Sequence, residues 1–392
     1  MSPFALACLS YLSLALPGST LGLLWPAMRA TFQVPLADLG FILATGTLAS
    51  ILASAAVPRL IARLGVGWLL ALGSLAVALA LGVEAAAPYL WIIVAGSAVF
   101  SLGFGSIDAA LNAHAAHTFG ARQINWMHAT YGLGATAGPL LVTALLGHGT
   151  GWRVVLAIFA AIMAAFGLAF VSLRGAWSRT AALPVPPAQP PTDPGTGATA
   201  RPAGFASLFA PLLFTAVETG IESGAGIWGF VFLASGRHLP PAAAGAAVSA
   251  YWAMMVVGRA VLGPVAERLG AQRVLSAAVA GVALGGAVMS VPGPAWPAVA
   301  GLMLLGLAAS SVFPLLTLTT ASRVRGSRDA TTRTVGLQVA ASAVGSAALP
   351  SAIGVVLGAA GAAALGPLLL ALGVAMWALY APVARSGGRV TA

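Results

Sequence analysis

The chain has 392 residues, of which 59% are hydrophobic and only 7% charged, and its mean hydropathy is +0.97. A soluble globular domain carries about 25% charged residues, so this composition excludes one and requires an integral membrane protein. All 18 basic residues are arginine, and they are scattered without interleaved aromatics, which excludes nucleic acid as a partner despite the net charge of +10.

A helix that crosses a bilayer needs about 20 mainly apolar residues. Twelve stretches satisfy this: 4–28, 38–58, 66–87, 90–114, 124–146, 152–173, 205–234, 240–262, 271–291, 296–320, 331–357 and 361–383. The predicted fold class is therefore an all-α integral membrane protein of twelve transmembrane helices. Pro17-Gly18, Pro26, Pro139, Pro314 and Pro350 interrupt several stretches, which membrane helices tolerate when neighbouring groups satisfy the freed backbone. The first stretch lacks the basic region and small-residue cleavage site of a removable signal, so it is read as a span. The single cysteine, Cys8, lies in it, which leaves no intramolecular disulfide or cysteine cluster. No histidine or acid spacing marks a metal site, no motif marks a cofactor, and no nucleophile-base pattern marks an enzyme.

Between the sixth and seventh stretches, residues 174–204 gather seven of the chain's 25 prolines without helical periodicity. This is a solvated linker, and it divides the chain into a first lobe, 1–173, and a second, 205–392. The positive-inside rule sets the orientation: with a cytoplasmic N-terminus, all arginines fall inside except Arg29, Arg153 and Arg237. Both termini and the linker are thus predicted to be cytoplasmic, in a cytoplasmic (inner) membrane.

The two halves resemble each other. PRLIARLG (58–65) matches GPVAERLG (263–270), pairing Arg63 with Arg268 and Gly65 with Gly270, while Arg122, Gly134 and Pro139 precede Arg333, Gly345 and Pro350 by 211 residues. Six spans, a linker and six similar spans form a parallel repeat, an arrangement of two-lobed transporters.

Acids inside the spans mark candidate function. An ionised side chain at the bilayer centre costs about 2.5 to 3.5 kcal/mol even on a lenient scale, so Asp108, Glu218 and Glu222 are expected to face a cavity or another helix. Asp108 and Asn112 stand four residues apart and share a helix face, as do Glu218 and Glu222. Two carboxylates so close in a low-dielectric site resist ionising together, which suits proton carriage. Glu84, near the outer end of the third span, reads as a solvated interface residue.

The sequence resembles the major facilitator superfamily over essentially its whole length. The residues that carry the resemblance are Gly263, Glu267, Arg268, Gly270 and Arg273, which fit that family's cytoplasmic loop pattern. The first copy is degraded, with Pro58 for the glycine and Ala62 for the acid. The resemblance implies that Arg63, Gly65, Arg122 and the intact second loop gate the cytoplasmic side. Within the superfamily, the fucose permease-like sugar:proton symporters are most similar. They share the acid and Asn of the fourth span (Asp108, Asn112), the fifth-span run Arg122, Asn125, His128, Tyr131, Gly132 and Gly134, the seventh-span Gly220, Glu222 and Trp228, and Phe313-Pro314. The acid of their first span has no counterpart here.

Sugar binding needs planar hydrogen-bonding groups and aromatic faces in a concave, largely apolar pocket. Asn112, Asn125, His128, Trp228, Trp252 and Gln338 could supply them, although packing is the other reading for His128 and both tryptophans. The expected function is secondary active transport of a small polar solute, such as a sugar, coupled to protons through Asp108, Glu222 and Glu218, by a monomer in the lipid bilayer. The alternative is a proton-driven drug or metabolite efflux antiporter, since Gly134, Gly138 and Pro139 partly match an antiporter motif whose final glycines are here Val142 and Thr143.

Overall fold

A computed structural model describes residues 2–178, 205–320 and 328–387. Most of the predicted linker lies outside the described residues, as do the side chains of Arg122 and Asn125. Every regular element among the described residues is helical. In the first half these are α1 (Pro3–Gly18), α2 (Leu21–Phe32), α3 (Leu39–Leu64), α4 (Val66–Ala85), α5 (Leu90–Thr118), α6 (Ala121–Gly147), α7 (Trp152–Leu173) and the single turn α8 (Gly175–Ser178). The second half contains α9 (Phe205–Val231), α10 (Pro241–Leu269), α11 (Ala271–Ser290), α12 (Ala295–Ala309), α13 (Val312–Leu318), α14 (Arg328–Ala360) and α15 (Leu365–Gly387). Eleven helical segments are long and apolar enough to cross a membrane. The 27-residue α9, about 40 Å long at 1.5 Å per residue, is the twelfth.

Two predicted spans are broken, and proline chemistry accounts for both. The first divides into α1 and α2 after Pro17 and Gly18, where the Thr20 hydroxyl donates to the Pro17 carbonyl at 2.8 Å. The tenth divides into α12 and α13 at Ser310 and Ser311. Pro314 lacks the N–H that would bond the Ser310 carbonyl four residues earlier, and its ring crowds that carbonyl. The loops after α3 and α10 are single glycines, Gly65 at φ +77° and Gly270 at φ +91°. Only glycine adopts this backbone readily, so both carry a geometric role as well as their predicted gating role.

The helix packing repeats between the halves. In the first, α4 packs on α5 and α7, α3 on α5, and α1 on α6; in the second, α11 packs on α12 and α15, α10 on α12, and α9 on α14. The halves meet where α6 packs on α10, α3 on α14 and α2 on α9. Exchanging the halves turns the first of these contacts into the second, which is the signature of a pseudo-two-fold axis. The register is visible atom by atom: Gly134 of α6 lies against the Leu12 carbonyl of α1, and Gly345 of α14 against the Ala216 carbonyl of α9. One turn further along, Gly138 lies against the Leu16 carbonyl, whereas at the equivalent place Leu349 fills the space over Gly220. The glycine of that pair sits on opposite helices in the two halves.

Candidate functional site

Three helices of the first half converge on Asp108. Tyr11 of α1 donates its hydroxyl to Asp108 Oδ1 at 2.7 Å. Asn112, one turn along α5, donates to the same Oδ1 at 3.1 Å and to the Tyr11 oxygen at 2.9 Å. The predicted shared face of Asp108 and Asn112 is therefore a closed hydrogen-bonded triangle whose third corner, Tyr11, the pattern of residues did not single out. From α6, His128 and Tyr131 place their rings 5.2 Å and 5.9 Å from Tyr11. Asn112 is exposed, and Asp108, His128 and Tyr131 are half-buried.

The second half supplies α9 and α10. Tyr251 donates to the Glu222 carbonyl at 2.9 Å, tying the two helices together, and Trp252 stacks edge-on against Tyr251 at 5.3 Å. Glu222 is half-buried. Glu218, one turn back, is 1% exposed with neither carboxylate oxygen hydrogen-bonded. Arg259, expected at the cytoplasmic surface, lies ten residues inside the end of α10, exposed and in coulombic reach of Glu218, Glu222 and His128. Tyr131 joins the halves, lying within coulombic reach of Asp108 on one side and of Glu222 and Arg259 on the other.

The other predicted binding residues are not all brought to this centre. Trp228 is 1% exposed, and its indole N–H is spent on the Pro350 carbonyl at 2.8 Å, which leaves it no polar atom for a solute. Gln338, also 1% exposed, accepts from Thr320 at 3.1 Å. Trp252 differs, because its indole N–H has no partner and remains free to donate. Glu84 is corrected outright: at 7% exposure it is buried among helices and is not a solvated interface residue.

Three close approaches between the halves gather at one end of the bundle, while another, Gly132 against Val256, lies midway along α6 and α10. Gly22 meets the Ile227 carbonyl and Gly245 the Thr143 side chain, and a Cβ at Gly40 would lie 3.3 Å from Ser351. All three lie at the end opposite the Gly65 and Gly270 turns. At the Gly65 and Gly270 end, Arg63, Gly263, Glu267, Arg268 and Arg273 are exposed.

Known proteins agree with this architecture. A family model described as Major Facilitator Superfamily matches residues 7–350. The chain is similar in fold to the nucleoside transporter NupG, in a mutant form, with a TM-score of 0.76 and 15% identity over 96% of this chain and 98% of the other. It is likewise similar to the peptide transporter POT in complex with sulfate, with a TM-score of 0.72 and 16% identity over 98% and 96%. No curated protein matches the sequence significantly. The chain belongs to the Major Facilitator Superfamily and is a transporter rather than an enzyme.

Proposed function

We propose that the chain carries a small neutral polar solute, such as a sugar, together with protons, by alternating access between its two lobes. The observation that carries this reading is the Tyr11–Asp108–Asn112 triangle of the first half, with Glu222, Glu218 and Arg259 supplied by the second. Asn112, His128 and Trp252 offer hydrogen-bonding groups to solute hydroxyls, and Tyr131 covers an apolar ring face. Asp108 exchanges its proton as its bonds to Tyr11 and Asn112 form and break. Glu218 has no hydrogen-bond partner where an unpaired charge would be costly, so it either holds a proton or, having released it, leaves a carboxylate offset by the nearby Arg259 charge.

Residues 1–173 and 205–392 act as the rocking lobes, 174–204 as their cytoplasmic tether. In this reading the arginine-rich end faces the cytoplasm, so the structure is the inward-open state, sealed outside by Gly22, Gly40 and Gly245. Arg63, Arg122, Glu267, Arg268 and Arg273 close the inner side when the lobes rock, with Gly65 and Gly270 permitting the turns and Gly263 lying within the last turns of α10. The molecule works as a monomer in the cytoplasmic membrane with both termini inside. Kinship with the fucose permease-like symporters rests on the fourth- and seventh-span residues that match.

Proteoliposomes test this directly. Labelled sugars, with nucleosides included because one structural relative transports them, are offered with and without an inward proton gradient. The expected outcome is gradient-driven accumulation of one class, abolished in Asp108→Asn while counterflow persists. Full accumulation by that variant would refute the coupling role.

A further inference from the structure

A chamber lies within the first half, lined by none of the residues of the Asp108 centre. It occupies about 250 Å³, begins at Pro17 and Gly18 where the first span breaks, and runs between α2, α3, α4 and α5 to Glu84. The carboxylate of Glu84 lines it, and the side chain is only 7% exposed. Space for this carboxylate exists because residue 96 is glycine: a Cβ there would lie 2.7 Å from Glu84 Oε1. No basic side chain is among the residues lining the chamber. Arg153, the arginine at the adjoining helix end, is turned to the Ala87 carbonyl at 2.6 Å and the Trp152 ring at 4.2 Å.

The rest of the polar lining is hydroxyl: Thr20, Thr47, Ser50, Ser97 and Ser101. Two of these have their hydrogens committed to the backbone. Thr20 donates to the Pro17 carbonyl at 2.8 Å, and Ser97 to the Val94 carbonyl at 2.7 Å. A hydroxyl whose hydrogen is spent presents only lone pairs, so these oxygens add to the carboxylate as acceptors. No hydrogen bond commits the hydrogens of Thr47, Ser50 and Ser101, so neutral donors are present as well, but the charged group among the residues lining the chamber is the Glu84 carboxylate, which repels anions and attracts cations. Buried carboxylates need a partner, and hard monovalent and divalent cations take carboxylate and other oxygen ligands. A single carboxylate matches one positive charge, and the volume, equivalent to about eight waters at ~30 Å³ each, admits a cation that keeps part of its hydration shell.

We propose that this chamber binds a small monovalent cation of the alkali class, with Glu84 as its charged ligand and the hydroxyls of Thr20 and Ser97 among its neutral ones. The chamber reaches the α1–α2 break that supplies the outer seal at Gly22, so occupancy bears on the same helices that move in transport. The site is separate from Asp108, and its fate does not depend on proton coupling there.

The purified full-length protein tests this by thermal unfolding in sodium, potassium or choline chloride at equal ionic strength and pH. A ligand that binds only the folded state raises its stability with the logarithm of its concentration once that exceeds the dissociation constant. Sodium or potassium is expected to raise the melting temperature over choline in this logarithmic way, the rise being lost in Glu84→Gln and kept in Asp108→Asn. Equal melting in all three salts, or a rise that survives Glu84→Gln, overturns the proposal. Should Glu84→Gln fail to fold, equilibrium binding of radioactive sodium to the wild type and to Ser97→Ala decides it. Saturable binding weakened at least several-fold by the variant supports the site, and no saturable binding to the wild type, or binding that the variant leaves unchanged, overturns it.

Discussion

Tyr11 shows how much a single hydroxyl can carry. It gives its hydrogen to Asp108 and takes one from Asn112, so Tyr11→Phe removes two bonds at once without changing the ring. A hydrogen bond to a charged group contributes about 1.5 to 3 kcal/mol, which converts to roughly 10- to 100-fold in an equilibrium constant. Tyr11→Phe is expected to weaken solute-dependent proton uptake by that order and to lower the melting temperature. Glu218 gives the opposite balance. Both of its oxygens are buried and unpartnered, a state that costs about 1 to 3 kcal/mol. Glu218→Met is therefore expected to melt higher than the wild type and to transport less, measured by thermal unfolding and proteoliposome uptake on the same preparation. An unchanged melting temperature would mean that Glu218 is satisfied within the fold.

Residues of this kind differed in how legible they were. Asp108 and Asn112 could be read from their spacing of four, because a helix turn is a local property. Tyr11 carried no such signal, since an aromatic in an apolar span looks like packing and its partner is 97 residues away. Arg259 was hidden by a boundary: ending the eighth span at 262 left it beside a loop, whereas α10 continues to Leu269 and places it about 15 Å inside. Glu84 was misread because the chamber around it is built from five separate stretches of chain.

At the scale of helices, the seal between α2 and α9 is a contact between backbones. Gly22 lies against the Ile227 carbonyl, so a side chain there must hold the two helices apart. Gly22→Val is expected to populate the conformation open at that end. Spin labels at Gln33 and His238, exposed loop residues on the two halves, in a Cys8→Ser background, would report a longer mean distance than in the unsubstituted pair. An unchanged distance distribution would remove Gly22 from the seal. The helices themselves were largely legible because apolar length is a strong signal, and the twelve stretches correspond to the twelve spans. Their breaks were legible only as prolines. Whether Pro139 or Pro17 interrupts its helix depends on neighbours, and α6 runs unbroken through Pro139 while the first span divides.

For the molecule as a whole, orientation is the property on which the direction of every other event depends. The arginine bias of the sequence, 14 expected on one side once Arg259 is counted within α10, predicts that a reporter fluorescent only in the cytoplasm will be bright when fused after residue 190 or at the C-terminus. Fused after residue 149, between α6 and α7, it is expected to be dark, and the reverse pattern would invert inner and outer throughout. The two-lobed architecture was legible from the repeat, because 58–65 and 263–270, the helix ends of α3 and α10 with their glycine turns, retain the same pattern. The identity of the solute was not, since it depends on how side chains far apart in sequence, from α1, α5, α6, α9 and α10, are brought near one another.

The exchanged glycine of the two halves has a consequence for how such duplications are recognised and altered. Gly138 beside Leu16 and Leu349 above Gly220 score as two mismatches when the halves are aligned residue by residue, yet in space they are one contact with its bulk moved to the other helix. What the duplication retained is a sum of volumes rather than an identity at either position. Gly138→Leu is accordingly expected to impair folding by itself, and swapping segments between lobes will succeed only where both members of such a pair travel together.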